Sequence, residues 1–171
     1  LSTAVGDANG DGHLDLFATT DGTNHLTYWL GTESGLNPEA GTNLIVENTE
    51  LRYLAMGDLN DDGRSDLAVL DFNEGLHVWY GISGAVVPLF GPVTYNNVVG
   101  RLGDIVMVDQ NRDGKDDIIL TDGNIGAIVV IPTDNDGLPD PAASVTFEIG
   151  CADGDIDCTP TEPSGIATGF F

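Results

Sequence analysis

Asp7–Asp15 reads DANGDGHLD, Asp58–Asp66 reads DLNDDGRSD and Asp109–Asp117 reads DQNRDGKDD. All three obey D-x-N-x-D-G-x-x-D, and each begins 51 residues after the one before, at 7, 58 and 109. So regular a spacing makes the chain a tandem repeat. The oxygen-bearing side chains at positions 1, 3, 5 and 9 can converge on one point because the Gly at position 6 permits a sharp turn. These are Asp7, Asn9, Asp11 and Asp15; Asp58, Asn60, Asp62 and Asp66; and Asp109, Asn111, Asp113 and Asp117. Position 7 adds a backbone carbonyl, from His13, Arg64 and Lys115. An all-oxygen donor set points to Ca2+, with three sites expected; Mg2+ prefers a tighter octahedron that keeps more water.

An EF-hand shares the first half of this pattern but carries a bidentate Glu at position 12. Here position 12 is Ala18, Val69 and Leu120. The segments before the loops (STAVG, YLAMG, DIVMV) and after them (LFATT, LAVLD, IILTD) are short, apolar and β-branched, so each loop is expected to join two strands. A turn (DGTN, DFNEG, DGNIG) leads to a third strand (HLTYWLG, LHVWYG, AIVVIP), and a Gly/Pro-rich loop leads to a fourth near TNLIVEN, PVTYNN and ASVTFEI. Trp29 and Trp79 fall at equivalent places, with Val130 in the third copy, which predicts packing between neighbouring units. Four strands in about 51 residues is the size of a propeller blade. The expected fold is therefore all-β: four-stranded antiparallel blades at 1–51, 52–102 and 103–165, with 166–171 as the first strand of a further or exchanged blade.

In these residues the chain resembles the FG-GAP/VCBS repeat family, in which a D-x-[DN]-x-[DN]-G-x-x-D calcium loop joins the first two strands of a β-propeller blade, as in integrin α chains and many secreted bacterial proteins. Phe90-Gly91-Pro92 is only a partial echo of the FG-GAP tripeptide, which favours the bacterial VCBS-like branch over integrin-like adhesion heads. Three blades are fewer than the four to eight of a typical ring. The expected partners are therefore missing blades of the same chain or other copies of it. In the second case Ile166–Phe171 would complete a neighbour's sheet.

Five Lys and Arg against 28 Asp and Glu give a net charge of -23, which three Ca2+ would reduce only to about -17. Such acidity argues against nucleic acid and anionic lipid as partners. A hydrophobic content of 41% argues against a disordered acidic tail. No apolar run approaches the ~20 residues of a membrane helix, so no membrane insertion is expected. Cys151 and Cys158 enclose ADGDID and are expected to form a local disulfide, since no second Cys or His pair completes a zinc site. Together these features predict an extracellular or cell-surface location.

Two further acidic stretches read as turns rather than metal sites: Pro132–Asp140 (PTDNDGLPD), where proline replaces the first ligand, and the Cys loop with Asp153, Asp155 and Asp157. His13, His25 and His77 are scattered, and no nucleophile–His–carboxylate arrangement, phosphate loop or zinc motif is visible, so no enzyme is expected. The leading expectation is an extracellular calcium-stabilised repeat scaffold for adhesion or self-assembly. The alternative is a lectin-like module that binds extracellular glycans or surface proteins, and a polysaccharide-active domain is the third possibility.

Overall fold

The computed structural model describes residues 1–149 apart from 21, 47, 48, 74, 85–88, 97, 99–101, 124 and 125. The third blade's tail with Cys151 and Cys158, and the strand expected at 166–171, lie outside the described residues.

The described chain is all-β, built as three four-stranded antiparallel sheets in simple up-and-down order. Blade 1 comprises β1 (Ser2–Gly6), β2 (Asp15–Thr19), β3 (His25–Trp29) and β4 (Thr42–Ile45). Blade 2 comprises β5 (Leu51–Gly57), β6 (Asp66–Asp71), β7 (Leu76–Gly81) and β8 (Leu89–Tyr95). Blade 3 comprises β9 (Leu102–Val108), β10 (Asp117–Asp122), β11 (Ala127–Ile131) and β12 (Val145–Glu148). Short 3-10 turns at Pro38–Ala40 and Pro141–Ala143 precede the fourth strands of blades 1 and 3. Each begins on proline, whose fixed φ suits a first helical position.

The blades stack in chain order, with β1 against β5 and β5 against β9. Pleating sends alternate side chains to opposite faces, so every blade has a forward face, towards the next blade, and a back face, towards the previous one. Ala4, Phe17 and Tyr28 on blade 1's forward face meet Met56, Leu67 and Trp79 on blade 2's back face in one apolar cluster. In the second cluster Ala55, Ala68 and Val78 of blade 2 meet Met107, Ile118 and Ile131 of blade 3. Burial follows from this arrangement. Every residue of β6 is buried because both faces of blade 2 are covered, whereas β2, in blade 1, alternates buried with half-buried residues. Each fully buried Leu or Val stabilises by roughly 1.5–3 kcal/mol, so the two seams hold most of the fold's apolar free energy.

Trp79 packs in the first seam, as expected, but its counterpart in the third copy is Ile131 rather than Val130. Leu67 pairs with Trp79 and Ile118 with Ile131, so Val130 points to the opposite face. The intervals within the repeat are unequal, 50 residues from Trp29 to Trp79 and 52 from Trp79 to Ile131, because the turn between second and third strands changes length. A slip of one residue in a strand exchanges its faces.

Candidate metal centres

Each acidic loop leaves the first strand of its blade and enters the second, so the three loops lie at equivalent ends of the three sheets. Position 6 is left-handed in every copy, with φ of 86° at Gly12, 79° at Gly63 and 93° at Gly114. Position 4 is left-handed too, at Gly10, Asp61 and Arg112; the sequence motif does not mark it, since only the first of these is glycine.

The double turn aims backbone amides inward, onto the motif's own side chains. Asp7 accepts from the amides of Asp11 (3.1 Å) and Gly12 (2.8 Å), and Asp58 from those of Asp62 (3.1 Å) and Gly63 (2.7 Å). Asp109 accepts from Arg112 (2.6 Å), Asp113 (3.1 Å) and Gly114 (3.0 Å). The third-position oxygens of Asn9, Asn60 and Asn111 accept from the fifth-position amides, and Asp11, Asp62 and Asp113 accept from the amides of His13, Arg64 and Lys115. Those seventh-position amide bonds, with help from Asn9 and Asn111, hold the carboxyls of Asp11 and Asp113 below the usual range. The Arg64 guanidinium turns back to pair with Asp62 and donates through Nε to the Gly81 carbonyl at 3.1 Å, so this side chain enters the site although only its carbonyl was expected to matter.

The ninth-position carboxylates are fully buried and tie the loop to the third strand's end. Asp15 accepts from Ala8 (3.0 Å) and Gly31 (2.8 Å), and Asp66 from Leu59 (2.9 Å) and Gly81 (2.8 Å). Asp117 accepts from Thr133 (2.9 Å) through Oδ1, but among the described residues its buried Oδ2 has no hydrogen-bond partner. Burial pushes the Asp15 carboxyl up, and Asp66 is pushed to about 7, with the neighbouring carboxylates of Asp62 and Asp58 adding to the effect against the amide bonds. A site that gathers like charges in this way is chemically suited to a cation.

The donors are all oxygen, and the orphaned Asp117 Oδ2 is an acceptor taken out of water without compensation. Both features fit a hard divalent ion. Among the described residues no three or more His, Cys, Asp or Glu side chains are drawn together tightly enough to grip a metal. In the present geometry the loop amides occupy the carboxylates instead.

Position 8 carries a role that the motif conceals. The amide of Ser65 donates to the Asp7 carbonyl at 2.9 Å, and that of Asp116 to the Asp58 carbonyl at 2.8 Å, so each later loop is tied to the start of the earlier one. The Asp116 carboxylate also accepts from the Asp58 amide at 2.8 Å. Burial pushes its carboxyl up and the charges of Asp58 and Asp109 add to this, against the amide bonds it receives from those two residues. The loop after each third strand then covers the previous blade's site. Gly84 donates to the Asn9 carbonyl at 3.0 Å, and Tyr80 donates to the carbonyl of Gly137, which lies against Asn60.

Residues 7–69 match the model of the FG-GAP-like repeat family, a span from the first ligand position of loop 1 through the whole of loop 2. That stretch of the chain is similar to an FG-GAP-like repeat. No curated protein matches it in sequence. Between those limits lie part of the seam of blades 1 and 2, with Phe17, Tyr28, Met56 and Leu67, the position-1 residues Asp7 and Asp58, and the Ser65 tie.

Pro132–Asp140 is a turn: Asp134 accepts the amides of Asp136 and Leu138, both at 2.9 Å. Blade 2 also contains a buried network invisible as a motif. His77 lies 2.9 Å from Asp71 through Nε2 and 3.0 Å from Thr94 through Nδ1, and Thr49 donates to the same Asp71 oxygen. Burial pushes the Asp71 carboxyl up, but the bonds from Thr49, His77 and Gly75 outweigh it and leave the group below its ordinary value. The network ties the inter-blade linker, β6, β7 and β8 together.

Proposed function

We propose that this chain is an extracellular calcium-stabilised repeat scaffold serving adhesion or self-assembly, and not an enzyme. The FG-GAP-like repeat and the all-β stack are the established part of this reading. The observation that carries the rest is the placement of the acidic loops on the blade seams, where Ser65 and Asp116 bond back to Asp7 and Asp58. Calcium would be held by Asp7, Asn9, Asp11, the His13 carbonyl and Asp15, and by the matching residues of the other two loops. The ion would supply positive charge to crowded carboxylates and so favour the folded stack. With free calcium roughly tenfold above Kd, each site contributes about 1.4 kcal/mol.

The test is thermal unfolding and calorimetric titration in Ca2+ and in chelator. The reading expects bound calcium and a melting temperature several degrees lower in EDTA; identical melting curves with no heat of binding would sink it. A lectin-like module is the second reading, favoured by one observation. A crevice of about 590 Å3 between blades 1 and 2 is lined by Thr23, Asn24, His25, Glu50 and Phe72, the last 60% exposed. Glycan binding that Phe72→Ala abolishes without altering the calcium-dependent melt would favour that reading.

A further inference from the structure

Among the described residues the stack uses one joint twice and leaves its two halves open at opposite ends. On the back face, Leu67 and Ile118 are fully buried by the preceding blade, whereas their counterpart Leu16 in blade 1 is half-buried. Val5, the counterpart of Met56 and Met107, is 57% exposed. On the forward face, Ala55, Ala68 and Val78 of blade 2 are buried, but their counterparts Val106, Ile119 and Val130 in blade 3 are only half-buried. The fourth strands follow the same rule. Leu44 and Tyr95 pack on the seams ahead of them, while Phe147, at the same register, is 56% exposed.

The polar half of the joint is open in the same way. Leu14 occupies position 8, whose amide in Ser65 and Asp116 reaches the previous loop, yet among the described residues Leu14 has no previous loop to reach and is 63% exposed. At the other end, Asp109 occupies position 1, whose carbonyl in Asp7 and Asp58 receives that amide, and no later loop among the described residues reaches it.

We propose that these two faces bind each other between copies, with blade 1 of one molecule stacked on blade 3 of the next. The Leu14 amide then donates to the Asp109 carbonyl of the neighbouring copy. A second copy is the fitting occupant because each open face is the counterpart of one that already joins two blades within the chain, and the polar tie is made by backbone and needs no particular side chain. The turn at Thr32–Gly35, equivalent to the one that places Gly84 on Asn9, would cover the exposed loop at Asp109–Asn111. A contact between two different faces is heterologous, so it either closes into a ring or propagates as a fibre. The proposal rests on the scaffold reading and names its partner. The net charge of -23 opposes association, so calcium is expected to promote it.

The experiment is sedimentation velocity of the 171-residue chain in millimolar Ca2+ over a wide range of concentration, with Val5→Asp and Phe147→Asp as variants. Both positions are exposed, and circular dichroism checks that the fold is kept. Wild type is expected to exceed monomer mass, either growing with concentration or saturating at a ring. Each variant alone should be monomeric, and an equimolar mixture should form a one-to-one dimer through the single intact pair of faces. A wild-type monomer at every concentration would overturn the proposal, because the two faces would then be free in solution or covered from within the chain and would not seek each other. So would assembly that either variant leaves unchanged, or a mixture that stays monomeric. The calcium-dependent melt of that same monomer separates the two ideas: its persistence would retain the calcium scaffold and discard only the contact.

Discussion

Loops 1 and 2 differ from loop 3 although the three share one motif. In the first two, the second-position residues Ala8 and Leu59 are fully buried and their amides reach the ninth-position carboxylates of Asp15 and Asp66. In the third, Gln110 and Asn111 are exposed and, among the described residues, Asp117 Oδ2 is left without a partner. Loops 1 and 2 are each covered by the following blade; among the described residues nothing covers loop 3. The motif therefore encodes half of a site, and the next blade completes it.

The largest effect expected from this difference comes from removing the ninth carboxylate in calcium-free buffer. Asp66→Ala strands the buried amides of Leu59 and Gly81, at about 1–3 kcal/mol each, for a total of about 2–6 kcal/mol. Burial and repulsion from Asp62 and Asp58 push the Asp66 carboxyl up to about 7, so the measurement is made below about pH 6, where the group is protonated and relief of its buried charge no longer offsets the lost amide bonds. Asp117→Ala strands only the Thr133 amide and should cost about half as much. Urea midpoints for the two variants check the ranking, and equal losses would show that the cover contributes nothing.

Next in size is the fit of the cover itself. A Cβ on Gly137 would lie 2.6 Å from Asn60 Cβ, and the residue has a φ of 78°. Gly137→Ala should therefore cost about 1–3 kcal/mol for overpacking plus about 1 kcal/mol for the left-handed backbone. Gly35 sits in the equivalent turn of blade 1 with a φ of 93° and nothing within 4 Å of the added carbon, so Gly35→Ala should show only the second cost. If the two variants melt together, blade 3 does not press on loop 2.

Calcium affinity should divide in the same way. Two sites are expected to be comparable and the third about tenfold weaker in the monomer, roughly 1.4 kcal/mol, because loop 3 must order itself without a cover. Terbium luminescence titration resolves the classes, and three equal sites would remove the distinction. In assembled material the third site should rise to match the others.

Much of this was legible in the residues. Spacing and flanking strands led to three four-stranded sheets, because a 51-residue repeat and β-branched runs of period two are properties of side-chain pattern. The absent twelfth-position Glu at Ala18, Val69 and Leu120 separated these loops from EF-hands. Position 8 stayed hidden because Leu14, Ser65 and Asp116 share no chemistry; what repeats is the backbone amide, which no side-chain motif records. Val130 lies on the opposite face from the one its spacing predicts because a ruler of 51 averages turns of unequal length. The Asp71–His77–Thr94 network draws on three strands, so no local spacing marks it. Nor does the motif distinguish a covered loop from an open one, since that depends on the blade that follows.

The finest expected effect is a single hydroxyl. Tyr80 donates to the buried Gly137 carbonyl at 2.9 Å, and burial raises its ionisation well above the ordinary phenol range, so it remains a donor throughout the working pH range. Tyr80→Phe keeps the ring in the second apolar cluster and removes only that bond, which should cost about 0.5–1.5 kcal/mol in a urea midpoint. Its consequence for calcium should be local. The bond fastens the cover over loop 2, so the variant should weaken that site towards the third while leaving loop 1, covered by the Gly84 turn, unchanged. Equal weakening at loops 1 and 2 would mean that the hydroxyl stabilises the whole stack and does not act through the cover.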